Sequence, residues 1–143
     1  MGPEQIHDNP ADWVNQHIRR YVESGGQKGN RFNGQNALLL TTRGARSGKL
    51  RRTALWYVQD GDRYLLTGSN GAARHDPAWV FNVRANPAVV VQVEADTFPA
   101  VAHVATPEER PLLWDKVSTA IPQYAAYQER VRRELPVVIV ERA

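Results

Sequence analysis

Apolar positions along the chain fall into two rhythms, a helical one near the start and a strand-like one after it. Trp13, Val14, His17, Ile18, Tyr21 and Val22 recur in adjacent pairs four residues apart, which is one stripe on a helical surface. The spacing predicts a helix from about Ala11 to Glu23, opened by Asp8 or Asn9 with Pro10 near the first turn and ended by Gly25-Gly26. Its apolar stripe is expected to dock on a core. Lys28 to Gln35 is rich in Gly and Asn and reads as a linker. Beyond it the apolar runs shorten to strand length: Ala37 to Thr42, Thr53 to Gln59 and Arg63 to Gly68, with Asp60-Gly61-Asp62 as a hairpin turn. Three sequential antiparallel strands are expected there.

Asp76 to Arg84 reads as a short helix with Asp76 at its cap and Pro77 in its first position, stopped before Asn86-Pro87. Ala88 to Glu94 and Phe98 to Ala105 are two more strands, the first alternating at Val89, Val91 and Val93. Thr106-Pro107-Glu108-Glu109 is a capping box, so a helix is expected from Pro107 toward Ile121, and Pro122 opens a second helical piece. Pro136 to Val140 closes the pattern as a buried strand. Six strands with helices between hairpins, and no regular strand-helix alternation, predict an α+β fold on a closed or split antiparallel β-barrel. Residues 1–36 form an N-terminal helix and linker packing on the barrel, and residues 37–143 form the barrel, all within one domain.

Composition narrows the chemistry. A chain of 143 residues, 42% apolar, builds one core of ordinary size. Cysteine is absent, which excludes disulfides, thiolate metal sites and a cysteine nucleophile. His7, His17, His75 and His103 have no metal-ligand spacing, so no metal is expected. The first residues lack an apolar signal-peptide core, and no run approaches the ~18 apolar residues of a membrane span. A cytoplasmic location is expected, with peripheral membrane contact through the first helix left open.

Charge is concentrated in one place. No Asp or Glu occurs between Glu23 and Asp60, while Lys28, Arg31, Arg43, Arg46, Lys49, Arg51 and Arg52 all lie in that interval. The whole chain carries +3, so everything outside those seven cations sums to −4. Such a distribution suits a particular anionic partner, although a basic, solvated hairpin turn explains the segment equally well. With no recognition helix carrying the charge, nucleic acid is not the expected partner. Neither phosphate-binding glycine fingerprint is present, nor a serine-hydrolase elbow. Ser69-Asn70-Gly71 at the end of the third strand is a turn whose Gly allows close backbone approach. Core packing is the ordinary reading of Trp79, Phe81 and Asn82, while Tyr124, Tyr127 and Gln128 share one helical face and offer polar groups to a cleft.

The order of these pieces resembles a known family. Thr41-Thr42-x-Gly44-x-Arg46-Ser47-Gly48-x-x-Arg51, Trp56-Tyr57, Asp60-Gly61, Ser69-Asn70-Gly71, Pro77-x-Trp79-x-x-Asn82-x-x-Ala85-Asn86-Pro87-x-Val89, Ala105-Thr106-x-Glu108-Glu109-Arg110 and Pro122-x-Tyr124-x-x-Tyr127-Gln128 are similar to the deazaflavin-dependent nitroreductases of actinobacteria. The similarity runs over about residues 37–141.

The resemblance implies a split β-barrel that binds coenzyme F420, an 8-hydroxy-5-deazaflavin with a phosphate and a polyglutamate tail. It implies hydride transfer from the reduced coenzyme to a small electron-poor acceptor: a quinone, an activated C=C bond or a nitroaromatic. The coenzyme-binding positions it implies are Ala45, Arg46, Ser47, Arg51, Arg52, Thr53, Ala54, Leu55, Trp56, Thr67, Gly68, Ser69, Asn70, Ala78, Trp79, Val80, Phe81, Asn82 and Tyr124. Of these, Arg46, Arg51 and Arg52 would meet phosphate and carboxylates, and Trp56, Trp79 and Phe81 would pack near the ring system. Tyr124 and Ser69 are the catalytic candidates. Three positions depart from the family pattern: Ile121 where relatives active on nitroimidazoles carry Tyr, Asn70 for a common Lys, and Thr53-Ala54 for a common Asn-Pro. The alternatives are a flavin mononucleotide enzyme on a similar barrel and a non-catalytic F420 carrier, as a monomer or a homodimer.

Overall fold

Leu38 and Leu40 face one way and Leu39 the other, and this alternation sets the layers of the molecule. In the computed structural model, which describes residues 4–143, the chain forms β1 (Ile6–Asp8), α1 (Asp12–Glu23), β2 (Arg31–Phe32), β3 (Gln35–Arg43), β4 (Leu50–Trp56), β5 (Val58–Asp60) and β6 (Arg63–Thr67). A left-handed turn follows at Asn70–Ala72, then α2 (Ala78–Ala85), β7 (Ala88–Val93), β8 (Asp96–Val104), α3 (Arg110–Ala120), α4 (Pro122–Arg130) and β9 (Val137–Arg142).

The sheet runs β1-β4-β3-β7-β8-β9-β6-β5, with β2 added beside β3. Every pairing is antiparallel except β1 with β4. β4 lies next to one end of this order and β5 at the other, yet only Tyr57 separates them in sequence. The chain therefore bends at Tyr57 from one end of the sheet to the other and closes it as a split barrel. Leu38, Leu40, Leu66, Val91, Phe98, Val138 and Val140 fill the interior, and α2 adds Trp79, Val80 and Val83. Outside, α3 and α4 set Leu113, Val117, Ile121 and Tyr124 against Leu65, Val137 and Ile139. On another outer face α1 sets Val14, Ile18 and Tyr21 against Leu39 and Ala54. Burying each such aliphatic side chain is worth about 1.5–3 kcal/mol, which is what holds α1 to the sheet.

Tyr21 also carries a polar duty. Its hydroxyl accepts from the Glu94 N–H at 2.6 Å and faces the Ala37 and Gln92 carbonyls at 3.2 and 3.3 Å as a donor. Burial pushes the phenol up to about 12. Gly26 ends the helix region where a Cβ would overlap the Glu94 backbone, so the close approach requires glycine.

Several sequence expectations need correction. The described residues contain nine strands instead of six, because β1 and β2 are too short to show periodicity and exist only through partners distant in sequence. The linker thus contains β2. The run Thr53 to Gln59 is not one strand but the end of β4, the bend at Tyr57 and most of β5. Trp13 is 64% exposed and Val22 40%, so the buried stripe of α1 is only Val14, Ile18 and Tyr21. Asp76 does not cap α2; Pro77 holds that position, and the Asp76 carboxylate is taken by Arg133 and Arg84. The capping box forms, with Thr106 N–H on Glu109 Oε1 at 2.9 Å and Glu109 N–H on Thr106 Oγ1 at 3.2 Å, but α3 begins only at Arg110.

Candidate functional site

The basic segment is the turn from β3 to β4, and its shape is fixed from α2. Gly44 and Lys49 close it through the Gly44 N–H on the Lys49 carbonyl at 2.7 Å. Asn82, buried on α2, accepts from the Ala45 N–H at 2.8 Å and donates to Thr42 Oγ1 at 3.0 Å. The amide therefore clamps the turn. It satisfies the Ala45 N–H and leaves Ala45, Arg46 and Ser47 exposed at the tip.

The cations divide into two sets. Arg43 forks onto Glu4 at 2.6 and 2.8 Å, and its guanidinium holds the Glu4 carboxyl below the usual range. Arg52 forks onto Asp8 of β1 at 2.6 and 3.1 Å. Arg46, Lys49 and Arg51 are exposed and form no ion pair among the described residues. These three are open to an outside anion, whereas Arg52 already has a carboxylate partner.

β4 leads from the cations toward the aromatic groups. β3 pairs along one edge of β4 through Trp56, but β1 covers the opposite edge only as far as Arg52. Thr53, Ala54, Leu55 and Trp56 have no strand partner on that side, and Asn9 reaches only the Thr53 hydroxyl at 3.3 Å. Trp56 donates its indole N–H to the Phe32 carbonyl at 2.9 Å, and its ring lies 6.0 Å from that of Tyr124. Tyr124 is 4% exposed, and burial drives its phenol well above the ordinary range. It stays a neutral hydrogen-bond donor. Thr67 Oγ1 beside it is buried and meets no partner at full hydrogen-bond geometry among the described residues, yet it stands close enough to the Tyr124 phenol to act as a hydrogen-bonding neighbour that partly offsets the effect of burial. A buried hydroxyl without a well-formed bond, next to a neutral phenol, leaves bonding capacity that a ligand's polar atom would complete.

The loop after β6 brings in the remaining predicted residues. A Cβ at Gly68 would sit 2.7 Å from Pro136 and 2.9 Å from Val80, so the backbone passes flush against the core. Ser69 is right-handed helical, and Asn70, Gly71 and Ala72 follow at φ of 48°, 60° and 64°. A right-to-left-handed step of this kind turns successive N–H groups toward one point, as in anion-binding nests. The N–H groups of Ser69, Asn70 and Gly71 have no acceptor among the described residues. Along α2, Trp79 and Val80 turn into the barrel core, while Ala78 and Phe81 face outward. Phe81, 49% exposed, is thus not the core residue its composition suggests.

Arg133 was not singled out by any sequence pattern, yet it organises this loop. It donates to the carbonyls of Gly68 (3.0 Å), Ser69 (2.8 Å) and Ala73 (2.9 Å) and pairs with Asp76 at 2.7 Å. Two surface concavities, of 460 and 210 Å³, lie along α1 among Gln16, Arg20, Arg31 and Phe32, and are lined by none of these groups. Convergent polar groups, rather than the size of a depression, mark the site.

The family model for F420H(2)-dependent quinone reductases matches residues 13–142. The chain belongs to that family. It is therefore an oxidoreductase that uses coenzyme F420, and flavin mononucleotide is not needed to explain its site. It is 35% identical over 130 residues to an F420H(2)-dependent quinone reductase of Mycobacterium tuberculosis, covering 88% of this chain and 87% of that protein. A solved F420-H2 dependent reductase (FDR-A) is 40% identical with a TM-score of 0.67, over 73% of this chain and 93% of the other. A structure described as a domain-swapped dimer is 38% identical with a TM-score of 0.71, over 93% of this chain and all of the other. No helix among the described residues is long and apolar enough to cross a membrane.

Proposed function

We propose that this chain transfers hydride from F420H2 to a quinone at the groove between β4, the loop after β6 and α4. The single observation that carries this reading is the buried, neutral Tyr124, with Thr67 Oγ1 beside it and its ring 6.0 Å from Trp56 at the end of the β4 edge that β1 leaves unpaired. The residues fit the coenzyme: Arg46, Lys49 and Arg51 suit phosphate and tail carboxylates, the N–H groups of Ser69 to Gly71 suit a further anionic oxygen, and Trp56 offers a flat apolar wall. When bound and reduced, the deazaflavin supplies the hydride.

The protein's own part is orientation and polarisation. Tyr124 donates a hydrogen bond to the acceptor's carbonyl oxygen, favouring the negative charge that develops there as hydride arrives. With its phenol pushed up by burial, Tyr124 keeps its proton, and the proton that completes the hydroquinone comes from solvent. Ser69 orients the ring or the acceptor through its hydroxyl. Ile121, the position of a tyrosine in nitroimidazole-active relatives, is buried between α3 and α4 and has no polar atom to give, which favours a quinone over a nitroaromatic. Assembly as a homodimer is part of the same reading, supported by the likeness to a domain-swapped dimer, and light scattering at twice the monomer mass would bear it out. The function is tested by following oxidation of F420H2 on addition of menadione. Turnover in the wild type that falls in Tyr124→Phe and Ser69→Ala supports the assignment, and unchanged turnover and acceptor binding in both variants removes it.

A further inference from the structure

We infer that Arg133 is a positioning residue for the coenzyme: its guanidinium holds the Gly68–Ala73 loop in its binding shape and ties that loop to the helix carrying Tyr124. The inference rests on the site proposed above. Three carbonyls, those of Gly68, Ser69 and Ala73, converge on one guanidinium at 2.8–3.0 Å, and the Asp76 carboxylate at 2.7 Å completes its shell. Those carbonyls bracket Asn70, Gly71 and Ala72, all left-handed, a conformation Gly and Asn tolerate but that is unfavourable for Ala72. A loop in such a conformation persists only where its surroundings hold it, and Arg133 binds it on both sides of the strained run. Holding the carbonyls inward leaves the N–H groups of Ser69, Asn70 and Gly71 without a protein acceptor. The arginine therefore acts on a ligand through the backbone it organises, without touching the ligand.

A second set of bonds runs from Arg133 to Tyr124. Arg133 sits in the connector between α4 and β9, and Gln128 of α4 fixes that connector, donating to the Arg133 carbonyl at 2.8 Å and accepting from the Leu135 N–H at 2.8 Å. Gln128 lies one helical turn from Tyr124 on the same helix. The two catalytic candidates, on elements far apart in sequence, are thus joined through Gln128 and Arg133. Asp76 is itself shared with Arg84 of α2 at 3.3 Å, which extends the tie to the helix that clamps the basic turn.

The test compares wild type, Arg133→Ala and Arg133→Lys by fluorescence titration with F420, thermal unfolding, and hydrogen exchange of residues 68–76. The expected result is folded variants that bind F420 at least roughly tenfold more weakly, the scale of lost charge-assisted hydrogen bonds. Faster exchange confined to the loop should accompany it, and methylguanidinium should restore binding to Arg133→Ala. Lysine has one ammonium for four acceptors and should rescue only in part. A folded variant that binds F420 within about twofold of wild type overturns the inference. If Arg133→Ala does not fold, Arg133→Lys decides by the same criterion. Failure of the wild type to bind F420 would instead sink the site reading, and loop exchange unchanged by the substitutions would then overturn the positioning role on its own.

Discussion

At the scale of single residues, the proposed site gathers groups whose usual partners are missing or incomplete. Tyr124 is buried and neutral, Thr67 Oγ1 is buried without a well-formed hydrogen bond, and Arg46, Lys49 and Arg51 have no carboxylate among the described residues. Tyr124→Phe keeps the ring against Trp56 and removes only the donor, so turnover with a quinone should fall by roughly ten- to a hundredfold while F420 binding changes little. Steady-state kinetics with separate coenzyme titration checks this. Because burial raises the phenol far above its ordinary range, no inflection in quinone reduction between about pH 5 and 9 should belong to Tyr124; one present in wild type and lost in Tyr124→Phe would contradict the assignment. Arg46→Ala and Arg51→Ala should each weaken F420 binding and flatten its salt dependence, whereas the same change at Arg43, already paired with Glu4, should matter much less.

Among the elements, local signals were readable and non-local ones were not. The α1 helix, the Asp60-Gly61-Asp62 turn and the Thr106–Glu109 capping box are set by residues close in sequence, and each formed, although α1 buries only half of its predicted stripe. The strand β1 and its Asp8–Arg52 pair join residues 44 apart, and Arg133 reaches back 57 to 65 residues to its loop. No periodicity announces such contacts. The core reading of Phe81 fails because α2 is only eight residues long and buries Trp79, Val80, Asn82 and Val83, leaving no clean stripe to read, whereas its exposed ring is compatible with the coenzyme position the family resemblance implies. The basic segment was visible as charge, but not which arginines were already neutralised. Tyr21→Phe tests how α1 is anchored. Losing the hydroxyl strands the Glu94 N–H and should cost about 1–3 kcal/mol in chemical denaturation. The phenol's raised value adds a pH signature: the stability it contributes is complete below its unfolded value near 10 and is lost as pH rises toward about 12. Wild type should therefore weaken across that window more than Tyr21→Phe does.

For the whole molecule, the proposed site lies where the barrel is split. Bending at Tyr57 takes the chain from β4 straight to β5, and because β1 pairs with β4 only through Arg52, Thr53 to Trp56 lack a strand partner on that edge, with Trp56 beside Tyr124. Helices α1, α3 and α4 pack on outer faces of the sheet, and β4 carries the basic turn at one end and Trp56, beside Tyr124, at the other. A long ligand that is anionic at one end and planar at the other suits that layout. Titration of the purified chain with F420H2, followed by menadione, tests it most directly. Micromolar binding that weakens with salt, and oxidation of F420H2 only when the quinone is added, is the predicted result; no binding of either F420 redox form would contradict the account.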